Sequence, residues 1–351
     1  MGARVSICAG AHAACCTGYV SVFQEQEVDI MRKFPKPRVF ASRCLGLAKC
    51  RYNGVTIKNS VVNALGEHVE FVTVCPEVEI GLGVPREPIK IVSKAGKRKL
   101  VQPATGLDVS GKMEEFSEGY LGKLGEVDGF ILKGRSPSCG LFDVKEYSGV
   151  ERGTSRGKNF SGFFGKKVMG MCPNTPWEDE GRLLNGEIRG CFFKKIFTLA
   201  RFREMKQKRK MKDLAEFHEK HKLLLLAFGQ EGMGKLGGVA ANRKKLGFEE
   251  AAKEYEMEMR RLFRNGICKK SAANSLMHAF GYFKKGLGRE EKKFFLQTLE
   301  EYMNGKVLIS APRSLIWSWV LRFDEEYLRE QVFFEPYPKE LVMAENRVYM
   351  G

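Results

Sequence analysis

The sequence predicts an α/β doubly wound (Rossmann-like) parallel-sheet domain followed by an all-α helical domain. Three observations predict it. Between about residues 31 and 195, short apolar runs of strand length alternate with helix-compatible segments, the order that builds a parallel sheet. From about residue 196 onward, apolar residues recur at helical spacing, and glycine or proline separates one periodic segment from the next. The chain has 351 residues, 43% hydrophobic and 29% charged, enough for two domains with separate cores.

Residues 1–30 look unlike the rest of the chain and read as a disordered extension or a mis-assigned start, outside the fold. Met1-Gly2 with Ser6 matches the myristoylation pattern, Cys15-Cys16 suits acylation, and residues 7–16 make a weak signal-peptide match. The first strand, residues 37–42, delivers Arg43-Cys44-Leu45-Gly46 at its end. The second, residues 69–74, delivers Cys75-Pro76-Glu77, and the third, residues 127–132, leads to Ser136-Pro137-Ser138-Cys139-Gly140. Residues 57–65 and 113–124 read as helices between them, and residues 167–171 as one more strand, with Cys172 and then Cys191 beyond it.

In such sheets ligands bind outside the carboxyl ends of the strands. Cys44, Cys75 and Cys139 therefore converge on one edge, and this convergence is the main functional signal. Three thiolates are one short of a closed zinc site or a four-cysteine cluster. A 4Fe–4S cluster with one open iron and a zinc ion carrying water both satisfy the count. Cys50, six residues after Cys44, would close either site, and Cys172 and Cys191 keep the choice of three from being forced. Glu77 and Glu79 are carboxylates placed to handle water, Ser136 is a hydroxyl donor, and Arg86 and Arg135 suit an anion or a polarised carbonyl. Thr105-Gly106-Leu107-Asp108 reads as a polar turn on the same side.

The net charge of +17, from 59 Lys and Arg against 42 Asp and Glu, points to a polyanionic partner, nucleic acid ahead of a membrane surface. No apolar run approaches the ~20 residues of a membrane span. Ten cysteines spread along so long a chain read as reduced thiols of a cytoplasmic protein.

Ser42-Arg43-Cys44-Leu45-Gly46, Cys50-Arg51-Tyr52-Asn53-Gly54, Cys75-Pro76-Glu77-Val78-Glu79 with Gly81-Leu82-Gly83-Val84-Pro85-Arg86, and Ser136-Pro137-Ser138-Cys139-Gly140 resemble the 2-thiouracil desulfidase family, over about residues 38–190. The resemblance implies a 4Fe–4S cluster held by Cys44, Cys75 and Cys139, with Ser136 and Glu77 as the acting serine and carboxylate; Glu70 and Glu79 stay open as alternatives. It implies a non-redox removal of sulfur from a thiolated pyrimidine. On that reading the open iron would suit a soft thiocarbonyl sulfur, Glu77 would orient or deprotonate water, and Ser136 would hydrogen-bond the base or the leaving sulfur.

A basic linker or helix spans residues 196–212, inside a stretch of helical periodicity from 196 to 226 with Leu199, Phe202, Leu214 and Phe217 on one face. Residues 248–263, 271–284, 290–304 and 312–323 are four further helices. Trp317 and Trp319 read as core, and His221, Asn242, His278 and Tyr282 as buried hydrogen-bonding residues. His221-Lys222-Leu223-Leu224-Leu225, Val239-Ala240-Ala241-Asn242, residues 278–285 and Pro336-Tyr337-Pro338-Lys339-Glu340-Leu341 are similar to a helical domain, formerly of unknown function, fused to desulfidase domains. That fusion resembles the tRNA 4-thiouridine desulfidases and implies that residues 213–351 bind the RNA. The alternatives are a desulfidase of free thiobases or thionucleosides, and a metal-stabilised nucleic-acid-binding module without turnover.

Overall fold

A computed structural model describes residues 33–94, 96–150, 154–155, 157 and 160–342. The acylation and signal-peptide matches of residues 1–30 lie outside them. Along the chain, β1 (Arg38–Ser42) leads through α1 (Ser60–Leu65) to β2 (Glu70–Val74) and the short α2 (Pro76–Glu79). A hairpin of β3 (Lys90–Lys94) and β4 (Lys97–Gln102), with β5 (Leu107–Asp108), precedes α3 (Ser110–Lys123). Then come β6 (Gly129–Leu132), β7 (Glu146–Tyr147), α4 (Phe163–Met171) and β8 (Trp177–Asp179).

Four of these strands form a sheet in the order β2-β1-β6-β8, parallel at every pairing. The chain leaves β1 toward β2, then passes back across β1 to β6. Between β1 and β6 the strand order reverses, which opens a crevice at their carboxyl ends. Alternation along the strands feeds two cores, one on each face. Val39 and Ile131 point into a core completed by Val61, Val62 and Leu65 of α1 and by Phe192, Phe193, Ile196 and Phe197. Phe40, Phe130 and Leu132 point the other way, onto Met113 and Leu121 of α3 and Phe164 and Val168 of α4.

Two readings of this half are corrected. Residues 167–171 are not a strand; they close α4, whose Phe164 and Val168 recur at the four-residue spacing of a buried helical face. The fourth strand is β8, three residues including two acids, too short and polar to give a strand pattern. Residues 105–108 are more than a turn. Thr105 and Gly106 are a turn, and Leu107-Asp108 form β5, the edge of a second sheet ordered β5-β4-β3-β7, whose Ile91 and Leu100 cap the second core.

The helical half begins with α5 (Gly186–Lys208), capped by Asn185, whose side chain accepts the Glu187 and Ile188 amides at 3.0 and 3.1 Å. This one helix serves two cores. Its first part packs on the sheet, while Leu199, Phe202 and Met205 belong to the helical core. Gly129 makes the approach possible, because a Cβ there would lie 2.6 Å from Ile196 Cγ2. The periodic stretch 196–226 is therefore not one helix. It breaks at Arg209, in the left-handed region at φ 55°, before α6 (Met211–Phe228).

Helices α7 (Gln230–Ala240), α8 (Phe248–Leu262), α9 (Lys269–Gly281), α10 (Arg289–Met303), α11 (Ser310–Arg322) and α12 (Glu326–Glu330) complete this half. Four of them fall within a few residues of the segments that periodicity marks. Trp319 is buried and Trp317 packs on Phe334 at the core's edge. His221 is buried and bonds the Phe217 carbonyl at 2.7 Å. His278 and Tyr282, expected to be buried, are exposed instead; Tyr282 stacks on Tyr327 outside the core. Asn242 is half-buried, holding the amide and carbonyl of Leu246 at a turn. Near the end of the described chain Tyr337 and Leu341 return to the sheet's α1/α5 face.

The two halves are tied by buried charge as well. Asp128, fully buried at the start of β6, accepts Arg203 of α5 at 2.9 Å and the Arg38 amide at 2.7 Å. Lys206 bridges Glu126 and Glu256 of α8 at 3.0 and 2.8 Å.

Candidate functional site

The crevice between β1 and β6 opens into a cavity of about 260 Å³ lined by Cys44, Cys50, Cys75 and Cys139, together with Glu77, Arg86, Lys133 and Ser136. Three of the four strand ends supply one thiol each. Cys44 follows β1, Cys75 is the residue before α2 at the end of β2, and Cys139 closes the turn after β6. Cys50 returns to the same wall and is buried, its carbonyl 3.7 Å from the Cys75 sulfur. Cys172 ends α4 and Cys191 lies within α5; neither borders the cavity. Among the described residues no three His, Cys, Asp or Glu side chains converge tightly enough for one metal ion. The thiols are distributed around a common wall instead.

Burial dominates the acidity of Cys44, Cys50 and Cys139. It pushes the Cys44 thiol up to about 12, with Cys75 next to it adding to the rise and Lys133 opposing it. Cys50 is pushed up to about 12 by burial and then by Cys75 and Cys44. Burial raises Cys139 too, against a hydrogen bond from Ser42. Ser42 is buried at the end of β1 and accepts the Lys133 amide at 3.0 Å.

The turn of residues 136–140 is built by its own backbone and by glycines of α4. The Ser136 hydroxyl oxygen accepts the amides of Ser138 and Cys139 at 3.2 and 3.1 Å, and the Gly140 amide donates to the Ser136 carbonyl at 2.9 Å. Ser136 thus shapes the turn with its lone pairs, and its hydroxyl hydrogen is not consumed by either bond. A Cβ on Gly162 would lie 2.4 Å from the Ser138 carbonyl oxygen, and one on Gly165 2.4 Å from that of Gly140. Only bare backbone lets α4 lie this close to the thiol turn.

Of the three candidate carboxylates, Glu77 alone borders the cavity. Glu79 pairs with Arg43 at 3.3 Å, and Glu70, at the far end of β2, pairs with Arg38 at 3.3 Å. Glu77 stands in the first turn of α2, which starts because Pro76 sits at its first position and lacks the amide a helix start leaves unpaired. One of its oxygens takes Arg86 at 2.6 Å, and the other takes the Ser138 hydroxyl at 3.0 Å. Arg86 is therefore the partner of Glu77 rather than a free anion site. Lys133 is held by Glu180 at 2.5 Å, and Glu180 also accepts the Gly134 amide at 2.6 Å. The rim carries Arg51, Tyr52 and Arg135; the Arg51 guanidinium lies 5.3 Å from the Tyr52 ring centre, and Tyr52 is 42% exposed.

Sequence reasoning picked out Cys44, Cys75, Cys139, Glu77 and Ser136, and the structure brings all five to this cavity. It missed Ser138, Lys133, Glu180 and Ser42. Ser138 and Lys133 stood in plain view inside the motif, while Glu180 depends on β8, which has no readable strand pattern.

Residues 39–180 match a family model described as 2-thiouracil desulfurase, and residues 222–338 one described as a protein of unknown function, DUF1722. The chain is 33% identical over 132 residues to the uncharacterized protein YbbK of Bacillus subtilis (strain 168), covering 35% of this chain and 83% of that protein. It is 24% identical over 136 residues to the uncharacterized protein YbgA of Escherichia coli (strain K12), covering 38% of this chain and 80% of that one. Among solved structures it is similar to a chain described as the 4Fe–4S-dependent thiouracil desulfidase TudS. There the identity is 28%, with a TM-score of 0.32, covering 42% of this chain and 93% of that chain.

Proposed function

The chain belongs to the 2-thiouracil desulfurase family, and on that premise we propose that it removes sulfur from 4-thiouridine in tRNA, leaving uridine and sulfide. The observation that carries this reading is the meeting of Cys44, Cys75 and Cys139 in one cavity at the sheet's switch point. These residues fit a 4Fe–4S cluster. The donors are soft thiols that line one cavity, Cys75 and Cys139 buried and Cys44 half-buried. With Cys44, Cys75 and Cys139 as its ligands and Cys50 left out, the cluster would supply an iron with an open position, a Lewis acid suited to a thiocarbonyl sulfur.

The chain's own residues do the rest. Glu77 accepts a hydrogen bond from the water that attacks the ring carbon, and the hydroxyl of Ser136 donates to the pyrimidine or the departing sulfur. Lys133, close enough to Cys44 to oppose the rise in its pKa, offsets negative charge on that side. The cavity wall around Cys75, Ser138 and Cys139 is buried, so bonds made there act in a medium less polar than water.

Support for RNA comes from the charge of +17 and from the rim. Arg51 and Arg135 suit phosphates there, and the exposed ring of Tyr52 suits a flanking base. A 4-thiouridine stacked inside RNA has to be extruded to reach the thiols, and phosphate contacts offset that cost.

The test is oxygen-free reconstitution with iron and sulfide, then incubation with tRNA carrying 4-thiouridine. Loss of the thiobase absorbance supports the reading. Turnover of free 4-thiouridine but not of tRNA would keep the desulfidase and remove the RNA. No turnover of tRNA, nucleoside or 2-thiouracil by cluster-loaded protein would overturn it.

A further inference from the structure

We propose that Arg86 is a positioning residue that fixes the orientation of the Glu77 carboxylate toward the reacting pyrimidine. This rests on the desulfidase reading, in which Glu77 orients the water. The Arg86 side chain is 4% exposed and that of Glu77 15%. Arg86 Nε and Nη2 both reach Oε2, at 3.0 and 2.6 Å. The Ser138 hydroxyl donates to the other oxygen, Oε1, at 3.0 Å.

A carboxylate oxygen offers about two acceptor sites. Both sites of Oε2 are taken by the guanidinium, whereas Oε1 keeps one site after the bond from Ser138. Water is therefore held at the oxygen bonded to Ser138, and turning the carboxylate out of this plane would require the guanidinium to let go.

The guanidinium does not depend on Glu77 for its own place. Its Nη1 donates to the carbonyls of Cys50 and Gly83, each at 3.0 Å. These come from the loop after β1 and the loop after α2, so Arg86 is fixed by backbone and imposes its orientation on the carboxylate. The same anchoring argues against Arg86 as a substrate-anion site, since three of its nitrogens face protein acceptors. Ser138 completes the arrangement from the thiol turn. Its hydroxyl is fully buried, and its backbone is braced by the Gly165 amide at 3.0 Å. A lysine at position 86 cannot form the fork, because a point charge lacks the planar pair of donors.

The experiment uses the cluster-loaded full chain with 4-thiouridine nucleoside and 2-thiouracil as substrates. Arg86→Gln is expected to lower kcat about 100-fold, the usual order for losing a positioned base or its orientation. KM should stay within about twofold, and iron content should match wild type. Arg86→Lys should restore part of kcat. In the Glu77→Gln background, Arg86→Gln should cost no more than about threefold further, because both changes remove one function.

An undiminished second loss in the double variant would overturn the proposal, as would a raised KM with kcat unchanged. If Arg86→Gln fails to load iron, or if wild type turns over neither substrate and the desulfidase reading falls, crystal structures of the wild-type and Arg86→Gln chains still decide. The proposal expects the Glu77 carboxylate to leave its wild-type place in the variant; a carboxylate unmoved would overturn it.

Discussion

The carboxyl edge of the parallel sheet and the helical core bury opposite kinds of residue. At the sheet edge the buried and half-buried groups are thiols, hydroxyls and charges, and hydrogen bonds, many of them from backbone, hold them: Ser42 by the Lys133 amide, Ser136 by two amides, Glu77 by Arg86 and Ser138. In the helical core the buried groups are Phe202, Tyr255, Phe280, Phe295 and Trp319, ring against ring. Most of its charges stay outside, in pairs such as Lys220–Glu216 and Lys235–Glu231 along exposed helix faces. Burying polar groups costs stability unless every bond is made, whereas burying rings supplies it. One region holds a reactive arrangement in place, and the other supplies apolar burial beside it. They share α5, which contributes to both cores.

The largest effect that separates them is expected at Cys139. Cys139→Ala should abolish iron binding and all desulfidation while leaving the melting temperature of the metal-free chain within a few degrees, as iron analysis and calorimetry would show. A collapse of the metal-free fold would mean that Cys139 serves packing first. The converse substitution is Phe295→Ala, which removes a fully buried ring stacked 4.6 Å from Phe280. A loss of about 3–5 kcal/mol is expected in urea unfolding. Iron content and kcat of the remaining folded protein should be unchanged. If they fall together with stability, the division between the two regions is wrong.

Gly165→Ala sharpens the comparison from the site's side. The added Cβ meets the carbonyl oxygens of Gly140 at 2.4 Å and Cys139 at 2.7 Å, and neither is a flexible side chain that can yield. A destabilisation of up to about 3 kcal/mol is expected, together with weakened iron loading because the thiol turn has to move. Equal loss of stability with normal loading would place the strain in α4 instead.

These two regions were also unequally legible in the sequence. The amphipathic helices announce themselves by spacing, and α8, α10 and α11 lie where apolar residues recur. The break at Arg209 escaped because a left-handed arginine carries no sequence mark of the kind glycine gives. At the sheet edge the cysteines were readable, since each follows an apolar run of strand length. Their supports were not. Glu77 meets Arg86 through a loop closure and Ser138 through the crossing from β2 to β6, both tertiary facts with no local pattern. The short acidic β8 and the edge strand β5 are too brief to show alternation, so the second sheet and Glu180 stayed hidden. His278 and Tyr282 were misplaced because polar residues between apolar ones sit as readily on the outer face of a helix as in its core.

The smallest expected effect concerns His218 of α6, whose Nδ1 lies 3.0 Å from the Tyr255 hydroxyl. Burial, followed by the nearby Lys222, lowers its pKa from 6.5 to about 4. Between those values the unfolded chain binds the proton that the folded chain refuses. Stability from this site is therefore complete above pH 6.5 and is lost as pH falls toward about 4. Because the ring is half-buried, the loss amounts to about 1–2 kcal/mol rather than the full value of such a shift. Urea midpoints at pH 7 and pH 4.5 should differ in wild type and draw together in His218→Gln. Trp317 and Trp319 report the helical core, and Trp177 on β8 reports the sheet. Single-tryptophan versions of the chain therefore show where the acid sensitivity acts. If the Trp317 or Trp319 signal moves to lower urea at pH 4.5 while Trp177 keeps its midpoint, the helical core melts by itself. If all shift together, α5 joins the two cores into one cooperative unit, and the difference between the regions is one of chemistry alone.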